Sequence, residues 1–396
     1  MVLEEASLEA LGGEMKMRRA APVVHRTVTL LVISAAVSVL ITPSAWAVAP
    51  NITSFTPASG PVGTVVTITG TDFTGASEVD FTAGASAKFS VDGSGTHITA
   101  TVPLGSTTGA ISVTVSGETG TSATNFTVKA KVVGTTSLSE NEPAASADYL
   151  AWSQNSAAHP HHVDAYARPW GGAKFKVNAP HTSGEMGGID GTTLVYQQNS
   201  DIKLFDLSSH QRTNPPAGVN TTNVEYWPSI SGQWLLFGRI LSSGKSKVIL
   251  FNTSTHESRT LASTSTASPF LGPDQVSGDY AVWERYTGAA CDVYRYTIST
   301  KTTMLIPNPN SKCQYASSVT TDGTVYFMRS RSGILCGVAV SLRAYPPTTT
   351  LVSLPNGKDV LDTYAVTDEN GSTTIFYDQG SCSTFKQDIL EVTISP

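Results

Sequence analysis

A short histidine cluster has the residue types of a metal site. His159, His161 and His162 lie within one four-residue segment, and Asp164 follows two positions after the last of them. Imidazole nitrogens and carboxylate oxygens are ligands of zinc and copper ions. However, His161 and His162 are adjacent, and no other feature of the sequence imposes a ligand geometry on them. An exposed polar loop explains the cluster more simply, so we predict no metal site and no cofactor.

The sequence contains no motif for nucleophilic catalysis. It lacks the Gly-x-Ser-x-Gly elbow that presents a catalytic serine, and it lacks the Asp boxes of sialidases. Two carboxylates are sufficient for glycoside hydrolysis, and any two acidic residues can meet in a folded chain. Since the sequence singles out no pair, we assign no catalytic residue.

Two sets of polar residues recur at regular intervals after residue 131. The first set consists of Glu142, Glu185, Glu225, Asp274, Gln314 and Asp362. The second set consists of Gln154, Gln198, Arg239, Arg285, Arg329 and Gln379. If the two sets lie on neighbouring antiparallel strands, they form hydrogen bonds and salt bridges of modest strength within one sheet. We favour this interpretation over its alternative, a polar ring at the mouth of a central channel.

The elements that must position these residues form a repeat. Two apolar residues followed by an aromatic occur six times, ending at Trp152, Tyr196, Phe237, Trp283, Phe327 and Tyr377. Successive aromatics are 44, 41, 46, 44 and 50 residues apart, and a turn containing Gly or Asp precedes most of them. A period in the forties with several short strands per repeat is typical of a β-propeller. Each repeat has room for four strands, A to D, with the aromatic in strand B.

The number of strands predicts how the propeller closes. The sixth repeat reaches its strand C at residues 388–393 and has no strand D. Residues 131–138 form a strand-like run before the first repeat. Pairing of this run with 388–393 would complete the sixth blade and leave no exposed sheet edge. We therefore predict six blades within residues 131–396.

Two segments of the repeats carry a family resemblance. One is the strand-B unit at residues 229–237, and the other is the C–D unit at 202–213, in which a strand, Asp-Leu and a turn precede Arg-Thr. These segments resemble the TolB-type six-bladed propeller family, whose Pro-Asp-Gly turn survives here as Asp190-Gly191 and Asp322-Gly323. The resemblance implies a binding platform or an ancillary domain, and no catalytic domain accompanies it here.

Residues 48–130 have a different pattern. The runs 64–69 and 110–115 alternate with a period of two, and Pro and Gly residues separate the strands. Several such strands within about 80 residues indicate a compact β-sandwich. Segments that resemble the IPT/TIG domain family lie at 54–63, 66–73, 79–81, 97–103, 108–115 and 125–128. The resemblance implies an immunoglobulin-like fold that serves as a spacer or interaction module, without catalytic residues.

Residues 1–47 read as an export signal. A basic segment at 16–19 precedes the apolar run 27–41, and Ala45-Trp46-Ala47 is a small-x-small cleavage site. The apolar run is shorter than the roughly 20 residues that a membrane-spanning helix needs. Four glutamates precede the basic segment, which favours a later start codon.

The net charge of −6 argues against a nucleic-acid partner. We expect a secreted bacterial protein, monomeric and free of the membrane after signal cleavage.

The four cysteines, Cys291, Cys313, Cys336 and Cys382, all lie in the last third of the chain. In an exported protein they predict two disulfides, for which three pairings exist. The repeat places all four in loops and links on one face of the propeller. We predict Cys291–Cys313, which closes a short loop, and Cys336–Cys382, which joins the loops of blades five and six.

The predicted fold class is all-β, an immunoglobulin-like β-sandwich followed by a six-bladed β-propeller. We expect a binding or scaffold protein for an extracellular carbohydrate or protein. The alternative is an extracellular polysaccharide hydrolase or lyase with its site in the propeller channel. Clustered acids with shifted pKa values in the channel would favour this alternative.

The candidate ligand-binding residues lie where D–A links and B–C loops converge, because loops on a rigid scaffold carry function. They are Tyr226, Trp227, Arg239, Arg285, Tyr286 and Arg329. The aromatic side chains would stack on a sugar or pack on a peptide. The arginines would face an anionic group, provided Glu225 and Asp274 do not neutralise them. The competing interpretation is that the adjacent aromatics at 226–227 only fill the gap between blades two and three.

Overall fold

In the computed structural model of the chain, all regular elements among the described residues are β-strands. The structure describes residues 48–82, 85–133, 138–156, 162–287, 290–309, 312–330, 340–354, 358–368, 371–381 and 386–394. Within these ranges, no helix has the length and apolarity needed to cross a bilayer. The predicted signal segment 1–47, His159, His161, Cys336 and Cys382 lie outside the described residues.

The first eight strands form a sandwich of two sheets. They are β1 (Asn51–Thr56), β2 (Ser59–Gly60), β3 (Val65–Thr71), β4 (Ala76–Phe81), β5 (Lys88–Val91), β6 (His97–Thr101), β7 (Gly109–Val115) and β8 (Glu118–Val128). One sheet has the order β1-β3-β6-β5, and the other has the order β2-β8-β7-β4. The period-two alternation of β3 turns Val66 and Ile68 into the core, where both are fully buried. The predicted immunoglobulin-like sandwich is therefore present.

A short strand, β9 (Lys131–Val133), precedes six further sheets, one for each predicted repeat. Blades one to three consist of β10 (Glu140–Ala145), β11 (Tyr149–Asn155), β12 (Val163–Pro169) and β13 (Phe175–Lys176); β14 (Gly184–Asp190), β15 (Thr193–Gln198), β16 (Asp201–Asp206) and β17 (Gln211–Thr213); and β18 (Val224–Ser231), β19 (Trp234–Ile240), β20 (Ser246–Asn252) and β21 (Ser258–Ser263). Blades four to six consist of β22 (Phe270–Ser277), β23 (Tyr280–Tyr286), β24 (Cys291–Thr297) and β25 (Thr302–Leu305); β26 (Cys313–Val319), β27 (Val325–Ser330), β28 (Val340–Tyr345) and β29 (Thr349–Ser353); and β30 (Lys358–Asp359), β31 (Thr363–Thr367), β32 (Thr373–Ser381) and β33 (Gln387–Ile394). The six repeat aromatics all lie in the strand that corresponds to strand B, which is β32 in blade six, and all are buried.

The sixth blade is completed by the strand that precedes the first blade. Its sheet has the order β30-β32-β33-β9, and β31 also pairs with β32. Ile389 lies opposite Val133, and Leu390 lies opposite Lys131. The predicted pairing of this run with the strand at 388–393 is therefore confirmed for residues 131–133. Closure leaves neither end of the ring with an open sheet edge at this point.

One of the two predicted disulfides is confirmed. Cys291 and Cys313 are joined across a sequence separation of 22 residues, and both are buried. They are the first residues of β24 and β26, so the bond connects blade four to blade five. The pairing Cys336–Cys382 stays a prediction.

Replacing Cys291 and Cys313 with serine is expected to lower the free energy of unfolding by about 3 kcal/mol, because the bond restricts the unfolded chain over a loop of this length. Urea unfolding followed by tryptophan fluorescence measures the loss. A variant with serine at Cys336 and Cys382 is the matched comparison, since it leaves the blade-four bond intact. Equal unfolding midpoints for the first variant and the wild type would contradict the prediction.

Candidate ligand-binding cavity

The inner strand of every blade contains one residue more than its partner strand requires. In blade one, Asn141 lies opposite Ser153 and Ala144 lies opposite Ala151, so three steps on β10 match two steps on β11. The same shift occurs in the inner strands of blades two to five. In blade six, the inner strand is interrupted between β30 and β31. Such β-bulges bend a strand and re-aim its side chains.

The bulges line a cavity of about 300 Å³ at the end of the channel where the inner strands begin. The residues at the bulges or interruption that face it are Glu142, Pro143, Gly187, Trp227, Pro228, Asp274, Ala316, Ser317, Leu361 and Asp362. Glu142, Trp227 and Ala316 have positive φ angles of 50°, 44° and 51°. Because these backbone conformations are uncommon for residues with a side chain, the bulges are specific features of the inner ring.

Two side chains cross the channel beneath this cavity. The Tyr364 hydroxyl of blade six donates to the Ile189 carbonyl and accepts from the Ile189 amide of blade two, at 3.0 and 3.1 Å. The Gln275 amide of blade four donates to the Ala365 carbonyl at 2.9 Å and accepts from the Val319 amide at 3.1 Å. The bonds of Tyr364 to Ile189 and of Gln275 to Ala365 connect blades that are not neighbours, so the channel is bridged below the cavity.

Carboxylates dominate the polar lining, and several of them bind backbone amides exposed by the bulges. Glu142 accepts from the Met186 amide of blade two at 3.1 Å, and it also accepts from the Ser153 hydroxyl. Glu284 accepts from the Ser317 amide of blade five at 3.0 Å. These two carboxylates therefore connect one blade to the next, which gives them a structural role in addition to any role in binding.

Other hydrogen bonds around the cavity are also accepted by acidic side chains. The Ser317 hydroxyl donates to Asp274, and the Tyr286 hydroxyl donates to Glu284. In blade six, Asp378 accepts from the Asp362 amide at 3.0 Å and holds the interruption of the inner strand in place. No lysine or arginine is among the described residues that line the cavity. The cavity is therefore acidic without a basic partner.

Burial and mutual repulsion shift the pKa values of these acids upward. Burial, followed by the charges of Asp362 and Glu185, raises the pKa of Glu142 well above its ordinary value. Burial raises the pKa of Asp274 and of Glu284 in the same direction, and the charge of Asp362 adds to both shifts. The charge of Asp274 also raises the pKa of Glu284. Burial also raises the pKa of Asp362 to about 6. The cluster consequently retains protons at pH values where free carboxyl groups have lost them.

Two aromatic side chains form one rim of the cavity. Trp227 is 37% exposed and packs edge-to-face on Phe270, with ring centres 5.6 Å apart. Tyr286 lines the same side. Gly272 lies between them: a Cβ atom there would be 3.2 Å from the Trp227 ring and 3.3 Å from the Tyr286 ring. The glycine therefore allows both rings to approach the same point on blade four.

The cavity includes only two of the six predicted ligand-binding residues, Trp227 and Tyr286. Tyr226 is 4% exposed, stacks on Phe270 and donates its hydroxyl to the Leu271 carbonyl at 2.6 Å. It fills the gap between blades three and four, whereas the competing interpretation placed it between blades two and three. That interpretation does not hold for Trp227, because the bulge turns this side chain toward the cavity.

The three predicted arginines do not line the cavity, so the expected anionic subsite is not assembled by them. Arg239 donates to Glu225 at 2.6 Å and to the Val219 carbonyl at 2.6 Å, so its charge is neutralised within blade three. Arg329 is 6% exposed and donates to the Pro307 carbonyl at 3.1 Å. Arg285 is exposed on the strand that carries Glu284. Arg239 and Arg329 therefore each donate to the link that precedes their own blade.

Within the described residues, the histidine cluster forms no metal site. His162 is the one member of the cluster within the described residues, and its carbonyl accepts from the Ser156 amide at 2.9 Å. Throughout the described ranges, no group of three or more His, Cys, Asp or Glu side chains has an arrangement that would hold a metal ion.

Glu284 was not among the residues predicted from the sequence, although its position in a buried strand indicates a specific role. The residues that directly follow the six strand-B aromatics are Ser153, Gln197, Gly238, Glu284, Met328 and Asp378. A charged residue within an otherwise buried strand needs a partner, and both acids in this set bind backbone amides near the channel. The acids at 142, 274 and 362 were recognised as a recurring set, but the bulges that bring them together have no marker in the sequence.

The comparison with family models agrees with the predicted sandwich. Residues 50–128 match the model of the IPT/TIG domain. No curated protein matches the chain. The family model covers the sandwich and leaves the propeller unmatched, so it describes one domain of the chain.

Solved structures with a similar fold include TolB, as the repeats predicted. TolB from Acinetobacter baumannii is 15% identical with a TM-score of 0.43, over 62% of this chain and 64% of that one. An auxiliary nutrient binding protein from Bacteroides thetaiotaomicron VPI-5482 is 12% identical with a TM-score of 0.34, over 87% and 98%. Oligogalacturonate lyase from Vibrio parahaemolyticus is 9% identical with a TM-score of 0.43, over 80% and 86%. Similarity at this level carries no argument about function.

Proposed function

We propose that the chain is an exported binding protein whose propeller holds a carbohydrate in the cavity at the channel mouth. The cavity itself carries this proposal: it is bridged below, open at the end where the inner strands begin, and of a size typical of small-ligand sites. The signal-like segment 1–47 and the Cys291–Cys313 disulfide support an oxidising, extracytoplasmic location.

The chemistry of the lining favours a neutral or amine-bearing sugar. The Trp227 ring offers an apolar face for a sugar ring, while the carboxyl groups of Asp274 and Asp362 accept hydrogen bonds from hydroxyl or ammonium groups. A uronic acid would meet these carboxyl groups without a lysine or arginine among the described lining residues. Like charges in such a site repel, so acidic polysaccharides are the disfavoured ligands.

Trp227→Ala is expected to weaken binding of the sugar by about thirtyfold, because a central aromatic contact contributes about 2 kcal/mol. Glycan array screening of the mature protein identifies the sugar, and calorimetry measures the affinity of the variant. Arg285→Ala is the matched control, since Arg285 is exposed and does not line the cavity. If Arg285→Ala loses affinity and Trp227→Ala retains it, the cavity is not the binding site.

A second candidate function is hydrolysis of a polysaccharide in the same cavity. Clustered carboxyl groups with raised pKa values favour it, because glycoside hydrolysis uses one protonated and one ionised carboxyl group. The structural bonds of Glu142 and Glu284 to backbone amides argue in the other direction. Incubation with neutral polysaccharides, followed by assay of new reducing ends for the wild type and Asp362→Asn, decides between binding and turnover. Product formation that Asp362→Asn abolishes would establish the enzyme; no product from any substrate that the array identifies would exclude it.

A further inference from the structure

The sandwich is packed directly on the propeller, at the end of the ring opposite the cavity. Val62 and Leu104 of the sandwich are buried in one hydrophobic cluster with Ala144, Leu150 and Phe376 of the propeller. The Gly105 amide donates to the Thr374 hydroxyl at 3.3 Å, and this bond is also buried. Contacts between the two parts are extensive enough that Ala47–Pro396 form one compact unit.

A single carboxyl group is buried at the centre of this interface. Glu391 of β33 is 4% exposed, and its Oε1 atom accepts from the Val62 amide of the sandwich at 3.1 Å. Its other oxygen, Oε2, is buried and has no hydrogen-bond partner among the described residues. A buried carboxylate with one orphaned oxygen is costly, whereas the protonated group carries no charge.

The charged surroundings of Glu391 do not neutralise it. On β12, Arg168 attracts Glu391, but its guanidinium donates to the Val132 carbonyl at 3.3 Å and its Nε atom is buried without a partner. On β32, Tyr377 is the other titratable neighbour. The Pro61–Thr64 segment of the sandwich contributes no titratable side chain. Burial outweighs the Val62 amide and Arg168, and it raises the pKa of Glu391 to about 8.

We propose that Glu391 couples docking of the sandwich on the propeller to the uptake of one proton, so that the two domains are held tightly in acid and loosely in mild alkali. Docking of the 61–64 segment covers Glu391, and opening of the interface returns it to water. The propeller-facing side of the sandwich is thus a pH-dependent contact. This inference concerns the end of the ring opposite the proposed sugar site and does not depend on it.

The direction of the effect follows from proton linkage. The pKa of Glu391 is about 8 in the docked protein and near the ordinary 4.5 when the interface opens. The open state therefore releases a proton that the docked state retains between these values. The docking equilibrium constant falls about tenfold for each pH unit from about 4.5 to about 8, and it becomes constant above this range. Glutamine at this position still accepts from the Val62 amide and does not titrate.

Hydrogen exchange of the full chain, corrected for the intrinsic rate at each pH, tests the proposal. In the wild type, protection of the Val62 amide is expected to fall about tenfold per pH unit between pH 5 and 8, while β19 stays more strongly protected than Val62 at every pH. In Glu391→Gln, protection of the Val62 amide is expected to be independent of pH. Glu185→Gln, which removes a carboxyl group that burial also shifts, is the control and should retain the wild-type dependence.

Two results would overturn the inference. One is protection of the Val62 amide that does not change with pH in the wild type, a measurement that needs no variant to fold. The other is equal protection of Val62 and β19 at every pH, because this would show that the whole chain opens at once. Persistence of the wild-type pH dependence in Glu391→Gln would assign the proton to a different group, and it would equally refute the role of Glu391.

Discussion

A chain that begins at Leu138 is expected to melt at least about 10 °C below a chain that begins at Lys129. The difference between them is β9, whose Val133 and Lys131 pair with the outer strand of blade six. Val132 is 7% exposed within the largest propeller cluster, and its carbonyl accepts from Arg168 of blade one. Loss of these contacts opens the ring between blades six and one and exposes a sheet edge, which is expected to remove several kcal/mol of stability.

Both truncated chains lack the sandwich, so each exposes the propeller surface that Val62 and Leu104 cover in the whole protein. The comparison therefore isolates β9. Thermal unfolding followed by circular dichroism measures both midpoints, and dynamic light scattering reports aggregation through the open edge. Midpoints within about 3 °C of each other would contradict the closure of the ring by β9.

The stability of the intact protein is expected to fall as the pH rises from about 4 to 9. Asp362, Asp274, Glu284 and Glu142 all have pKa values that burial raises in the folded chain. A carboxyl group with a raised pKa makes its full contribution to the stability of the folded state when the pH is below its pKa in the unfolded chain. This contribution is lost as the pH rises through its pKa in the folded chain. For Asp362, the shift from 3.8 to about 6 corresponds to about 3 kcal/mol at pH 8.

Asp362→Asn should recover most of that loss, raising the unfolding free energy by about 3 kcal/mol at pH 8 and leaving it nearly unchanged at pH 4. The asparagine amide can also donate to Asp378, which binds the 361–362 backbone. Asp206→Asn is a control of opposite sign. The Ser208 hydroxyl and the Ser209 amide donate to Asp206 and hold its pKa well below the usual range, so its removal destabilises the protein at neutral pH. A wild-type profile that rises or stays level from pH 4 to 9 would show that the cavity acids are ionised in the folded state.

The sequence by itself determined the elements and their order. Alternation of apolar residues in runs such as 64–69 predicts strands, because it places one face of each strand in a core. The six aromatics at intervals in the forties predict six blades, since each repeat buries the same position of strand B. The absence of a fourth strand in the last repeat predicted its pairing with residues 131–138, and the structure shows this pairing for 131–133. These features depend on local patterns and on counting, and the same reasoning paired Cys291 with Cys313.

The tertiary structure alone decided which side chains meet in the cavity. Trp227 and Tyr226 are adjacent and chemically alike, yet one lines the cavity and the other is buried between blades. A bulge at this position makes the two side chains point in different directions. The position of a bulge depends on the register between strands rather than on the residue types within one strand. The acids Glu142, Asp274 and Asp362 are 88 or more residues apart in sequence and meet only because the ring closes.

The interface between the domains was also decided by the tertiary structure alone, and its partners are even farther apart in the sequence. Val62 and Glu391 are separated by 329 residues, and their hydrogen bond exists only because the sandwich packs on the blade that β9 completes. Nothing in either segment marks it as an interface, because an amide in a Pro-Val-Gly turn and a glutamate in an alternating strand are both ordinary at a surface. Their burial, and with it the raised pKa of Glu391, is a property of the packed molecule and not of either segment.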